Sequence, residues 1–419
     1  MTASHRFIRF LFFFLFIAAS MSISFLGVAL ALVNNDRIAY GVCFENTSLN
    51  GLSREEASGL LTHIARKSTS GNAVILTTSN RQWQLTPQEF GLTIDIDATL
   101  AEAYAIGRHG SFFTNLAEQI SSAVYGHEIH LLVSFDEEKL HSRLADIAGQ
   151  IDQAPVSASC TLAADGSIQH KPAVIGRKLN TERLTNEITP SLYALQLPVH
   201  AALHTEEQTP PVTDGDLRTI DSVLAVYTTH FSSANANRSQ NIRISAGELD
   251  GVLVRKGDEF SFNRTVGARI ASAGYKDAAV IVEGKVEQDI GGGVCQVSST
   301  LYNAILLANL TPTARTAHFY PSTYVPAGLD ATVADGQIDF LFRNDLAHNI
   351  YLLSSVYGNT LTVFVLGTKA DLKGQNIDLE RRIDKPGPGP VISVWRVYYE
   401  QGQETRREFL HTDHYDIEE

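Results

Sequence analysis

An uncharged apolar run from Phe10 to Val33 constrains this chain more than any other feature. At about 1.5 Å per residue a helix over that run reaches roughly 36 Å, enough to cross a bilayer core of about 30 Å. His5, Arg6 and Arg9 precede it, and basic residues on that side place the short N-terminus in the cytoplasm and everything after the run outside. A cleaved signal peptide is the alternative, because Ala29-Leu30-Ala31 has the small residues of a cleavage site. The run is longer than an ordinary signal core, which favours an uncleaved anchor over residues 1–36. Both readings export the rest. Cys43 follows Tyr40-Gly41-Val42, which lacks the pattern of a lipidated cysteine.

An exported chain of this length, 44% hydrophobic, can bury a core in two or three domains. A net charge of −13 excludes nucleic acid as a natural partner. Three cysteines are few for an exported protein. A disulfide between Cys43 and Cys160 would leave Cys295 unpaired, although both could equally be reduced and buried.

Residues 37–205 carry a weak internal repeat, offset by about 85 positions. The first copy opens on Ser53 and Glu56, which can close a capping box ahead of a helix. Strands are expected at Ala73–Thr77 and Trp83–Leu85, then a segment Phe90–Ile94 and a helix from about Asp97. The second copy repeats the order: a helix from Asp136, strands at Ala158–Leu162 and Ile168–His170, a segment Ile175–Leu179, and a helix near Thr181. Residues 206–216, with Pro210-Pro211, read as a linker. Beyond it, 217–370 reads as a second α+β domain with a mainly antiparallel sheet. Strands fall at Val252–Val254, Phe260–Phe262, Ala279–Val282, Asp339–Phe342, Ile350–Leu353 and Leu361–Val365, with a helix expected near Ser222–Phe231. Residues 371–419 read as a linker with Pro386–Pro390, followed by a hairpin of Val391–Tyr399 and Thr405–Thr412.

Chemistry concentrates in Gly291-Gly292-Gly293-Val294-Cys295-Gln296. Glycines let backbone N–H groups approach a ligand closely. Leu301, Ala304, Ile305 and Ala308 mark a following helix with one apolar face. Cys295 thus sits at or near the first turn, where the helix dipole favours thiolate and nearby amides can receive an oxyanion. Gly292, Gly293 and Gln296 are the candidate oxyanion or substrate contacts. A cysteine nucleophile needs a base, and His318 lies downstream in the same domain; His348, at a strand start, is the weaker candidate. Asp330 or Asn344 would orient the imidazole; capping the turn at Gly328 is the alternative role for Asp330. Ser298 and Ser299 lack the glycine pattern of a serine elbow. No metal or dinucleotide motif appears, so no cofactor is expected.

The ordered set Asn237-Arg238, Asn241-Ile242, Gly257–Asn263, Val266-Gly267, Gly274-Tyr275, Gly291–Asn303, Tyr324-Val325-Pro326, Gly328 and Asp330–Val333 resembles the VanW domain. The repeat resembles, more loosely, the peptidoglycan-binding domain that often precedes it. The resemblance implies an extracytoplasmic protein working on bacterial peptidoglycan, and some relatives are described as L,D-transpeptidases. It implies a histidine at 318, commonly with another two residues earlier and a serine directly after; Thr316 and Phe319 stand there instead. Two functions are therefore expected: a membrane-anchored cysteine L,D-transpeptidase joining stem peptides, or a non-catalytic wall-binding or assembly protein in which Cys295 is inert.

Overall fold

The computed structural model describes residues 3–33, 36–282, 285–385 and 389–416, and it divides into two compact units. The first comprises 1–154 with 177–208, the second 155–176 with 209–419.

The first unit opens with helix α1 (Ala3–Val33), within which Phe7–Ala29 is long and apolar enough to cross a membrane. The capping box at Ser53 and Glu56 forms and starts α2 (Arg54–Ser68). Asp95 caps α3 (Ile96–Ala105), Ser111 caps α4 (Phe112–Tyr125), Asp136 caps α5 (Glu137–Ile151) and Asn180 caps α6 (Thr181–Tyr193). These side chains satisfy amides that a helix start leaves without intrahelical acceptors. The hairpin Val74–Thr77/Gln82–Leu85 gains a parallel third strand, Val199–Ala202, and covers the apolar faces of α5 and α6.

The second copy's hairpin goes elsewhere. Strands Ser159–Leu162 and Ile168–Lys171 belong to the second unit, where Cys160 packs among Leu217, Ile220, Tyr351 and Leu366. The repeat is therefore legible as local structure, and its copies interleave: the first copy's hairpin shares a core with the second copy's helices α5 and α6, while residues 155–176, with the second copy's own hairpin, fall in the second unit. The linker expectation also changes. Thr205–Gln208 is a strand paired to Gly176–Leu179, and Thr213 caps the short helix α7 (Asp214–Leu217). No disulfide forms: Cys43 Sγ lies 3.8 Å from the His127 carbonyl oxygen and Cys160 Sγ 3.6 Å from His170 Nδ1. Each thiol meets a local partner rather than another sulfur.

In the second unit, Ser222–His230, Thr360–Gly367, Ile350–Tyr357 and Val252–Val254 form one antiparallel sheet in that order. The expected helix at Ser222–Phe231 is thus an edge strand; Val223, Thr228 and Thr229 are β-branched, and the segment alternates between core and solvent over its second half. Two helices, α8 (Ala236–Leu249) and later α10, pack on this sheet, with the short α9 (Phe262–Val266) between them in sequence. A smaller sheet joins Glu259–Ser261, Leu341–Arg343 and Thr311–Ala314. Hairpin Asp277–Val282/Lys285–Ile290 leads into α10 (Val294–Leu307). The C-terminal hairpin is present but not isolated, because Asn376–Lys385 makes it a three-stranded sheet. The Pro/Gly segment before it lies partly outside the described residues.

Candidate active site

Helix α10 is the centre of the second unit's core. Every residue from Val294 to Leu306 is buried except Cys295, which is half-buried. A residue type that ordinarily hides is here the one position of the helix start that meets solvent.

The glycine run builds this start, though not by approaching a ligand. A Cβ on Gly292 would stand 2.7 Å from the Ala279 carbonyl oxygen. Gly293 caps the helix at φ +108°, and a Cβ there would stand 2.8 Å from Arg238 Cγ. What the glycines admit is the protein's own strand and α8. Asn241 of α8 holds the turn by donating from Nδ2 to the Gly292 and Lys276 carbonyls, at 2.9 and 2.8 Å.

Two of the first amides are already engaged: Val294 N–H donates to Gly291 O (3.2 Å) and Gln296 N–H to Gly293 O (3.1 Å). The Cys295 N–H, two residues after the cap, shows no partner among the described residues. Gln296 itself is fully buried. Its Nε2 donates to Thr229 Oγ1 and the His230 carbonyl, both at 3.0 Å, and its Oε1 accepts from Arg238 Nη2 at 2.9 Å. Gln296 therefore anchors Arg238, which is half-buried and shares the thiol's electrostatic surroundings.

The Cys295 thiol donates to the Val333 carbonyl at 3.4 Å, and Cys295 and His318 each shift the other's ionisation. His318 Nδ1 lies 2.6 Å from Asp330 Oδ2, which also accepts the His318 backbone N–H at 2.7 Å. With Nδ1 donating to the carboxylate, Nε2 is the nitrogen free to face sulfur, and Tyr324 Oη approaches it at 3.4 Å. Between the two orienting candidates the structure selects Asp330. Asn344 instead pins the turn at 344–348 by donating to the Val254 and His348 carbonyls. His348 pairs with Asp371 at 2.9 Å.

Asp330 is itself fully buried and heavily supported. Arg315 donates to its Oδ1 at 3.3 Å and to its carbonyl at 2.6 Å, and bridges on to Asp413 at 2.6 Å. Tyr415 Oη donates to Asp330 Oδ1 at 2.5 Å and accepts the Gly328 N–H at 2.6 Å. From the helix side, Ser299 Oγ accepts the Ala331 N–H at 2.9 Å, Ser298 Oγ donates to the Ala331 carbonyl at 2.6 Å, and Asn303 Nδ2 donates to the Leu329 carbonyl at 2.7 Å. Both serines are fully buried, so they staple the Asp330 segment to α10 and do not act as nucleophiles.

These contacts set the charges. Burial opposes ionisation of Cys295, but the hydrogen bond and charge of His318 outweigh it and the thiol is lowered below its free value. Burial also opposes charge on His318, yet bonds to Asp330 and Cys295 raise it to about 9. Asp330 is raised by burial and lowered more by His318 and Arg315, to about 2. Tyr324 is pushed well above its usual value, first by burial and then by the charge at Cys295. The arrangement stabilises the thiolate of Cys295 and the imidazolium of His318 against their neutral forms, with a carboxylate behind the ring. Among the described residues no His, Cys, Asp and Glu cluster suited to a metal occurs.

A thiol at a helix start, an imidazole within reach and a buried carboxylate behind it make a cysteine–histidine–aspartate constellation in an α+β domain. Residues 237–366 match the family described as VanW like protein, and residues 83–196 match the one described as "Putative peptidoglycan binding domain". Residues 237–366 of the chain thus carry a VanW-like domain. The chain is 43% identical over 140 residues to the "Uncharacterized protein YoaR" of Bacillus subtilis, covering 33% of this chain and 46% of the relative. It is 35% identical over 114 residues to the "Vancomycin B-type resistance protein VanW" of Enterococcus faecalis, covering 26% of this chain and 42% of that protein. The matches thus span less than half the length of these curated relatives. No solved structure matches the chain.

Sequence reasoning did not reach the roles of Arg238, Tyr324, Arg315 or Tyr415. Arg238 and Tyr324 stand inside the motif stretches, where their position was a signal without a role. Arg315, directly before Thr316-Ala317-His318, offered none. Tyr415 lies in the tail, past residue 366, with no local pattern to mark it.

Proposed function

We propose that this protein is a membrane-anchored, extracytoplasmic cysteine acyltransferase that cross-links peptidoglycan stem peptides, an L,D-transpeptidase. The observation that carries the reading is Cys295, the half-open thiol of an otherwise buried helix, paired with His318 and Asp330. The peptidoglycan-binding match supports the wall as partner, and α1 supports anchorage with the bulk of the chain outside.

The Cys295 thiolate attacks the carbonyl of the third stem residue, the one bonded to the terminal D-alanine. Negative charge moves to the carbonyl oxygen, where the Cys295 N–H and the α10 dipole receive it. As the tetrahedral intermediate collapses, His318 Nε2 gives its proton to the departing amine, D-alanine leaves, and a thioester remains on sulfur. The side-chain amine of a second stem then attacks the thioester and His318 takes its proton. The amide cross-link forms, and the thiolate–imidazolium pair is restored. Water in place of the amine would give hydrolysis, a carboxypeptidase outcome, so selectivity depends on excluding water at this second step. Asp330 holds Nδ1 protonated, aims the ring and stabilises its cationic form throughout.

The test is incubation of the full-length protein with disaccharide-tetrapeptide and mass spectrometry of the products. The expected result is a cross-linked dimer that Cys295→Ala abolishes while binding to sacculi persists. Equal product profiles from the two proteins, with sacculus binding intact, would establish a binding module instead.

A further inference from the structure

Helix α4 is built inside out. Asn115, Gln119 and Ser122, at helical spacings of four and three, are buried at 9%, 6% and 3% exposure. They face the body of the first unit. Asn115 Oδ1 accepts the Gly110 N–H at 2.7 Å, Gln119 Nε2 donates to the Gly107 carbonyl at 3.3 Å, and the Ser122 backbone lies so near Gly41 that a Cβ there would clash with it. The opposite face carries Phe113, Ile120 and Val124, exposed at 79%, 46% and 67%, with Ala117 between them. Tyr125, 85% exposed, ends the helix. Positions i, i+4, i+7 and i+11 are one stripe, and in a water-facing helix that stripe would be polar.

What covers it is indicated by its neighbour. The first turn of α4 packs on α1, and Phe112, Phe113 and Leu116 line one apolar groove with α1 residues from Phe16 to Ala29. The apolar surface of α4 therefore continues that of the one helix, among those described, suited to a bilayer. At the entrance to α4, Arg54, Arg108 and His109 line a recess with Tyr104. An apolar stripe beside a membrane span is the pattern of a helix set into a lipid interface.

We propose that α4 is a membrane-seating element: its Phe113–Ala117–Ile120–Val124 face embeds in the outer leaflet beside α1. This goes beyond the enzymatic reading and is independent of the chemistry at Cys295, but it rests on the anchored topology proposed above. A bilayer contact here would fix the first unit close to the membrane, so the chain would have two lipid contacts rather than a single flexible stalk.

The full-length chain is reconstituted in vesicles of phosphatidylethanolamine and phosphatidylglycerol and irradiated with a diazirine-bearing lipid probe, and labelled residues are mapped by mass spectrometry. Carbene insertion is expected at Phe113, Ile120 and Val124, several-fold above that at Asn115 and Gln119. In Phe113→Glu/Val124→Glu, label on α4 should be lost while label on α1 stays. An unlabelled α4 beside a labelled α1 overturns the inference and leaves the anchor standing. An unlabelled α4 in a chain that cross-links to a second copy through this stripe overturns it in favour of a dimer.

Discussion

The ionisation of Cys295 is shifted by what surrounds it rather than by where it stands alone. A helix start lowers a thiol modestly; the charged, carboxylate-backed His318 does more. Because Cys295 is lowered and His318 is raised to about 9, the ion pair is favoured and is lost as His318 gives up its proton near pH 9. The rate of acylation should rise with pH as Cys295 ionises below its free value of about 8.5 and fall as His318 loses its proton near pH 9. Initial rates against pH check this. Asp330→Asn removes the charge that holds His318 protonated, so the alkaline limb should move down and the maximal rate should drop about a hundredfold or more. Iodoacetamide alkylation of Cys295 against pH gives a second readout, and in the variant its midpoint should shift upward. Asp330 also contributes to folding: held at about 2, below its ordinary 3.8, it stabilises the fold above that ordinary value and ceases to as pH falls toward 2. Acid unfolding of Asp330→Asn should accordingly show a weaker pH dependence.

At the scale of elements, the glycine turn and α10 act as one part. Gly293→Ala meets both a left-handed backbone, at φ +108°, and Arg238 Cγ at 2.8 Å, and should cost about 1–3 kcal/mol of stability by urea denaturation. Activity should fall further than stability does, since Arg238 and the Cys295 N–H move with that turn. Much of this element was legible in sequence. Apolar residues at helical spacing after Cys295 mark a helix, and Ser53 with Glu56 marks another, because a capping box is local chemistry. Ser222–His230 was not legible in the same way. Its apolar content fits either period, and what makes it a strand is its long pairing with Thr360–Gly367, more than 130 residues away. The fate of the second repeat's hairpin was likewise beyond local pattern, since Cys160 finds its core among Leu217, Tyr351 and Leu366.

At the scale of the whole second unit, the C-terminal sheet is part of the site's support. Tyr415 and Asp413 reach Asp330 and Arg315 from beyond residue 366, where the family match ends. Arg396 adds hydrogen bonds to the Leu306 and Leu310 carbonyls at the far end of α10. A hydrogen bond to a charged group is worth about 1.5–3 kcal/mol, so Tyr415→Phe should lower unfolding stability by that amount with an unchanged urea slope. It should also lower the acylation rate, because Asp330 loses the bond that fixes its Oδ1. Sequence offered the nucleophile, the base and a choice of orienting groups, because each sits in a recognisable stretch. It did not offer the tail's role, because contacts across some 85 residues between Tyr415 and Asp330 leave no trace in spacing. The central claim, that Cys295 forms a covalent acyl-enzyme, is tested most directly by the intact mass of the protein after brief exposure to a tetrapeptide stem without acceptor amine. The result expected is a mass gain equal to the stem less D-alanine, mapped to Cys295 and absent from Cys295→Ala. A chain that binds the stem, alkylates at Cys295 and yet carries no such adduct at any time would contradict it.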